Sequence, residues 1–357
     1  RTSLAVSALR IMRYCLNPKS RCVCRSRIYF RRFRDTLGLS QKEVTPPMPE
    51  GYTHVRTAQK AAHAIHYKLQ CPAAFAAGAN GPDSFFCYEV WKKGQNRTYN
   101  LPLLGNRMHE DKTGAFLLAL LHHTHTQAQI EYTLGFLCHY AADTVMHPYV
   151  VFVSSPGQPY GMKGGHGYFE IALDSPLHAE DTGVSEVPAD DSSPVPVGQD
   201  LAEIAALLHQ CILEVYGQDI SVEALADSFY YTYRLRRLFT SRHGVRRAFY
   251  WVLELFFGGR GFITGHVSPA HLKLNLPEDW TDPATGEERH GGAFALLKDA
   301  QHRCELFMTA ALGHWMGKLD EEILEKTLGS MSYITGTETE QSKSQQAPDA
   351  EQAGETA

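Results

Sequence analysis

The chain has 357 residues, 43% hydrophobic and 20% charged, long enough for one large domain or two ordinary ones with a full apolar core. Its formal charge of −5 is unevenly spread: residues 1–47 carry eleven Lys/Arg against two acids, a net +9, which leaves −14 on the remainder. An acidic body argues against a surface for long nucleic acid, because phosphate contacts need a basic one, and no apolar run approaches the roughly 18 residues of a membrane-spanning helix.

The first 47 residues are a basic extension whose apolar run, Leu4 to Leu9, falls short of a secretion signal. Two readings stay open for it: a nucleic-acid arm, or a segment that is disordered or outside the natural protein, with Met48 as the natural start. From Met48 to about Leu328 the pattern is helical. Thr53 to Gln70 carries an apolar stripe at Val55, Ala58, Ala62, Ile65 and Leu69. Gly78–Asp83 reads as a loop from its Gly and Pro content. A helix capped by Asp111 or Thr113 follows, and another from about Gln127 to His147, expected to stop before Pro148. Ser154–Gly165 is a loop, Gly167–Leu173 opens a helix, and residues 174–199 read as a flexible surface excursion. Leu201–Tyr216, Val222–Leu238, Arg246–Phe257 and Ala293–Leu319 complete the expected helices, the run Ala248–Phe257 as a buried one. Residues 329–357 are expected to be a disordered tail, poor in large apolar residues after Ile334. Eight scattered cysteines fit no zinc-finger spacing; Cys138, inside an apolar helix, suggests a reduced thiol, a reducing compartment and a cytoplasmic protein.

The run His139-Tyr-Ala-Ala-Asp143-Thr-Val-Met-His147 carries the chemistry. On one helix its three metal-capable side chains stand at i, i+4 and i+8, a drift of only about 80° around the axis, so they share a face. A second pair, His166 and Glu170, repeats the i, i+4 spacing. Neutral imidazoles and carboxylates are what zinc takes, and five of them exceed one tetrahedral site, which points to a multi-metal centre. A single histidine is more often a packed structural one; it is the grouping that reverses that reading. His122, His123 and His125 read instead as a solvated helix end, where cations suit the dipole. His63 and His66 read as ordinary helix residues. His266, His271 and the Trp280–Pro283 stretch read as pocket mouth or structural loop, with neither favoured.

The sequence resembles the zinc-dependent phospholipase C family, which shares its fold with the S1/P1 nucleases. The resemblance rests on Tyr52-Thr-His54, Gly78-Ala-Asn-Gly-Pro-Asp83, Met108-His109, Gly135-Phe-Leu-Cys-His139-Tyr-Ala-Ala-Asp143, His147-Pro148 and His166-Gly-Tyr-Phe-Glu170, and covers roughly residues 48–320. It implies an all-α fold, a single multi-helix domain over residues 48–328 around a buried di- or tri-zinc cluster. Carried over by position, His109, His139, Asp83 and Asp143 would hold one zinc and His147, His166 and Glu170 a second. Asp143 would bridge towards a third near His54, and Asp83 would be the base that orients the attacking water. Two features depart from the family pattern. No tryptophan precedes His54 to complete the third site, and Asp143 and His147 stand closer in sequence than in the secreted enzymes.

The function this implies is a zinc-dependent phosphodiester hydrolase of the phospholipase C type, cleaving a phospholipid to diacylglycerol and a phosphorylated head group. A nuclease or nucleotidase on the same scaffold, or a metal-binding protein without turnover, are the alternatives.

Overall fold

The computed structural model describes residues 51–92, 94–162, 164–254, 263–270 and 274–339. The basic extension, with Met48, and the tail beyond residue 339 lie outside them. In chain order the main elements are α1 (Tyr52–Ala64), α2 (Pro72–Ala79), a 3-10 turn (Gly81–Cys87), α3 (Leu101–Glu110), α4 (Thr113–His123), α5 (Gln127–Val153), α6 (Gly165–Thr182), α7 (Ala189–Ser192), α8 (Gln199–Tyr216), α9 (Val222–Phe239), α10 (Val245–Glu254), α11 (Ala293–Trp315) and α12 (Glu321–Leu328). Two three-residue strands, β1 (Asp279–Thr281) and β2 (Glu288–His290), pair antiparallel with Asp279 opposite His290. The fold is all-α, as expected.

α5 organises the body. It starts at a capping box, in which Thr126 accepts from the Gln129 amide while the Gln129 side chain accepts from the Thr126 amide. Its buried Glu131 accepts from the amides of Gln70 (2.7 Å) and Cys71 (2.6 Å), so α5 caps the start of α2. The two helices then touch backbone to backbone: a Cβ added at Gly78 would sit 2.0 Å from the Tyr132 carbonyl oxygen, and one at Gly135 would sit 2.1 Å from that of Phe75. On the other side Tyr140 stacks on Phe307 of α11 at 5.7 Å, and the Cys304 thiol donates to the Cys138 carbonyl. Cys138 is buried and unpaired by any disulfide, and burial raises its thiol pKa well above the ordinary value.

Two apolar clusters meet along α5. Tyr132, Phe136, Leu137 and Tyr140 belong to one; Met146, Tyr149, Val150 and Val153 belong to the other, with Phe169 and Trp280. Each fully buried side chain of this size contributes about 1.5–3 kcal/mol. The His139–His147 stretch lies where the first cluster gives way to the second.

Four expectations need correction. α5 does not stop before Pro148 but runs to Val153. Proline removes the amide that the Thr144 carbonyl would take. That carbonyl instead faces Gly336, where φ is +64° and an added Cβ would stand 2.4 Å from the oxygen. Burial of Tyr149, Val150 and Val153 in the second cluster outweighs the local preference to stop.

Residues 174–199 are not a free excursion. α6 continues through Pro176 to Thr182, because its buried Asp174 accepts from the Tyr52 (3.3 Å) and Thr53 (2.8 Å) amides, capping an α1 whose own N-cap is Gly51. Asp181 adds a bond from the Tyr52 hydroxyl (2.8 Å) and an ion pair with Arg56.

Residues 329–339 pack instead of beginning a tail: Ser330 accepts from the Gly114 amide (3.2 Å), Met331 donates to the Tyr140 hydroxyl (2.9 Å), and Tyr333 is buried. Finally, α10 turns two of its three charged residues inward, burying Arg247 and Glu254 while leaving Arg246, Val245, Phe249 and Val252 exposed. Among the described residues no helix is long and apolar enough to cross a membrane.

Candidate metal centre

Five elements deliver the eight residues singled out in the sequence. α1 carries His54, the 3-10 turn Asp83, α3 His109, α5 His139, Asp143 and His147, and α6 His166 and Glu170. The structure brings all eight together. The Nε2 atom of His139 lies 3.0 Å from Asp143 Oδ2 and that of His54 3.4 Å from Asp143 Oδ1; His109 Nε2 stands 3.8 Å and His147 Nε2 3.7 Å from the same carboxylate. Asp83 Oδ1 is 3.2 Å from His109 Nε2 and 3.9 Å from His139 Nε2. Glu170 Oε1 is 3.6 Å from His147 Nε2 and 3.1 Å from His166 Nε2.

Three groups of donor atoms, each within 4.8 Å of one another, could hold an ion: His54–Asp83–His139, His109–His139–Asp143 and His147–His166–Glu170. The third coincides with the set expected for the second zinc. The first differs from expectation in joining His54 to Asp83 and His139, although His54 also faces Asp143.

These spacings fit those of ligands around an ion. Donors about 2.1 Å from a tetrahedral ion stand about 3.4 Å from each other. The pairs above lie on both sides of that value, between 3.0 and 3.9 Å. Both Asp143 oxygens, His139 Nε2 and His54 Nδ1 are buried without a hydrogen-bond partner. Buried polar groups are normally satisfied. Here the Asp143 oxygens and His139 Nε2 converge on one small volume, as a cation requires.

The rings are oriented from behind. His109 Nδ1 bonds the Gly105 carbonyl (2.7 Å), His139 Nδ1 the Ala79 carbonyl (3.2 Å) and His147 Nδ1 the Tyr333 carbonyl (3.1 Å). In the neutral ring each Nδ1 then donates, leaving the Nε2 lone pair for the centre. Gly81 completes the cradle: φ is +51°, and an added Cβ would fall 2.1 Å from His139 Cδ2, so only glycine leaves room for that ring. The loop reading of Gly78–Asp83 is thus refined to a helix end followed by a 3-10 turn that sets Asp83 at its first turn.

Without metal the centre is electrostatically tense. Burial pushes the Asp143 carboxyl up, but His139, His147 and His54 overcome it and hold it far below the usual carboxylate range. Glu170 behaves likewise, with His166 and His147 outweighing burial. Burial opposes the charge on His147, yet Asp143 and Glu170 raise it to about 9; His139 is raised by Asp143 and Asp83 against the same penalty. His54 is lowered, chiefly by burial.

Residues 53–233 match the family model described as zinc dependent phospholipase C. The chain belongs to the zinc-dependent phospholipase C family. All eight candidate ligands of this phospholipase C family member fall inside the matched stretch, and α10, α11, α12 and Tyr333 fall beyond it. Comparison with curated proteins and with solved structures returned no match.

Among the described residues the other histidines singled out in the sequence stay apart from this group. His122 pairs with Glu321 (2.8 Å) and His123 with Glu214 (2.5 Å) on the surface, in keeping with a solvated helix end, and His63 and His66 are exposed. Trp280 is buried against Tyr149, a structural role, and His271 lies outside the described residues. The contribution missed in the sequence is Tyr333. Its carbonyl orients His147, its amide donates to the His109 carbonyl (2.8 Å), and its ring lies 5.1 Å from that of His109 and 5.8 Å from that of His139. Contacts across 186 residues leave no periodic trace in sequence.

Proposed function

We propose that this protein is a zinc-dependent phosphodiester hydrolase of the phospholipase C type, releasing diacylglycerol and a phosphorylated head group from a phospholipid. The observation that carries the reading is the convergence of four imidazoles on one buried carboxylate, Asp143, whose two oxygens have no other partner. In this reading His109, His139, Asp83 and Asp143 hold one zinc, and His147, His166 and Glu170 a second. Asp143 and His54 would together hold a third.

When bound, clustered zinc ions lower the pKa of water, screen the phosphodiester charge and stabilise the leaving oxygen. The protein's own residues supply position. The three carbonyls behind His109, His139 and His147 keep the rings fixed as charge moves. Asp83, on a 3-10 turn at the edge of the group and more open than Asp143, is the base that orients the attacking water and takes its proton. His166, at 30% exposure the most open of the eight, marks the side from which substrate enters. The buried free cysteines support a reducing compartment such as the cytoplasm.

The test uses the full chain loaded with zinc and assayed on phosphatidylcholine and on single-stranded DNA. Release of phosphocholine, abolished in Asp83→Asn while metal is retained, is the expected result. Cleavage of DNA alone would establish the nuclease alternative; metal binding with turnover on neither substrate or on a mononucleotide would establish a non-catalytic metal protein.

A further inference from the structure

α10 is built inside out. Arg247 and Glu254 are buried, with Tyr250 between them. The Arg247 guanidinium donates to the Val267 and Pro269 carbonyls, the Tyr250 hydroxyl donates to the Leu238 carbonyl (3.1 Å), and Glu254 accepts from the Ile263 and Thr264 amides and the Thr264 hydroxyl (2.9 Å). With these polar groups consumed on the protein side, the helix presents apolar ones outward, and the exposed Arg246 beside them donates to the Arg237 (2.8 Å) and Thr240 (3.0 Å) carbonyls. Val245, Phe249 and Val252 follow i, i+4, i+7 spacing on one face, Val245 at 72% and Phe249 at 57% exposure, with exposed Trp251 at its border. A surface helix of a globular body shows the opposite arrangement.

Charge sets the partner. Between residues 234 and 253 there are six arginines and no acid, in a body that is otherwise acidic. Arg234, Arg237, Arg242 and Arg246 are exposed. An apolar strip edged with arginine and an aromatic is what seats a helix in the headgroup region of an anionic bilayer. A soluble acidic protein would satisfy the charge but would not call for so exposed an apolar strip.

The helix is also fastened to the body beside α6. Glu254 ties α10 to the 3-10 turn Thr264–His266. That turn packs on α6, where an added Cβ at Gly265 would lie 2.7 Å from the Tyr168 ring and one at Gly164 4.0 Å from His266 Nε2. Tyr168 is two residues from both His166 and Glu170, so it lies on the opposite face of α6 from these two most open members of the metal group, and the turn holds α10 to the outer side of the helix that carries them.

We propose that the outer face of α10 docks the protein on an anionic phospholipid surface. The proposal deepens the phospholipase reading and rests on it for its purpose, although docking can be measured without turnover. The helix lies outside the stretch matched by the family model.

The experiment is vesicle sedimentation of the full-length, zinc-loaded Asp83→Asn protein, with phosphatidylcholine vesicles alone or containing phosphatidylserine. Partition should be at least tenfold higher with phosphatidylserine. It should fall at least tenfold in the added double change Val245→Asp/Phe249→Asp and in Arg234→Glu/Arg242→Glu. All four residues are exposed, and the melting temperature serves as the folding control. In the otherwise unmodified protein the same changes should leave hydrolysis of a monomeric short-chain phospholipid intact. Equal partition on both vesicle types, or no effect of either double change, would overturn the docking. Lipid-free self-association that Phe249→Asp dissolves would overturn it in favour of a second copy on this face. Variant-sensitive partition without hydrolysis of any phospholipid would keep the docking and remove the catalytic reading.

Discussion

Stripping the metal should loosen the whole body. The proposed ligands come from α1, the 3-10 turn, α3, α5 and α6, so an unfolded chain does not present them together. A ligand that binds only the native state stabilises it by about 4.1 kcal/mol at a thousandfold excess over its dissociation constant. Two ions held independently then contribute about 8 kcal/mol. Over a body of roughly 280 residues, an unfolding entropy of about 2.1 cal/mol/K per residue makes about 0.6 kcal/mol/K, hence a shift of roughly 13 °C. Part of this is recovered when His139 and His147 take up protons beside Asp143, so the expected drop is about 10 °C. Calorimetry of the full-length protein before and after chelation, with zinc measured by elemental analysis, reads it directly, and added zinc should restore the value. An unchanged melting temperature after confirmed metal removal would refute the idea that ions cross-link the helices.

Elemental analysis of protein purified without chelator should give about two zinc equivalents, or three where the His54 site fills, and less than about one after supplementation would end the cluster reading. Asp143→Asn should weaken metal binding more than Asp83→Asn does, because the first removes the carboxylate shared by four imidazoles and the second an edge group; the reverse order in a zinc titration would reverse the assignments. Truncation after Leu328 should weaken zinc binding about 10–100-fold by removing the Tyr333 carbonyl behind His147, whereas truncation after Thr339 should leave it unchanged. Zinc binding should release protons. His147 stays charged up to about 9 without metal, so affinity should weaken as pH falls below that value. The same raised value stabilises the metal-free fold below its unfolded pKa of about 6.5, a contribution lost as pH rises to about 9. Calorimetry in buffers of different ionisation enthalpy measures the release, and none at pH 7 would contradict the argument.

Helix content, the ligand face of α5 and the His166–Glu170 pair were legible in sequence because helical spacing is a local property that repeats every turn. So was the order of ligand types along the chain. What local reasoning misplaced depends on distant partners. Pro148 reads as a stop, yet the helix passes through it because Gly336 covers the freed carbonyl and Tyr149 and Val153 are buried beyond it. Asp174 and Asp181 read as part of a polar loop, yet they hold the start of α1 across about 120 residues. Tyr333 sits in a polar stretch whose composition signals disorder, and becomes core because the ring finds His109, His139 and Tyr140 around it. The hydropathy of Ala248–Phe257 suggests burial, but Arg247 and Glu254 find backbone partners within and turn the apolar face out. Periodicity states which side chains share a face. Which way the face points is decided by the partners available on either side of it, and those are assembled only when the chain has folded.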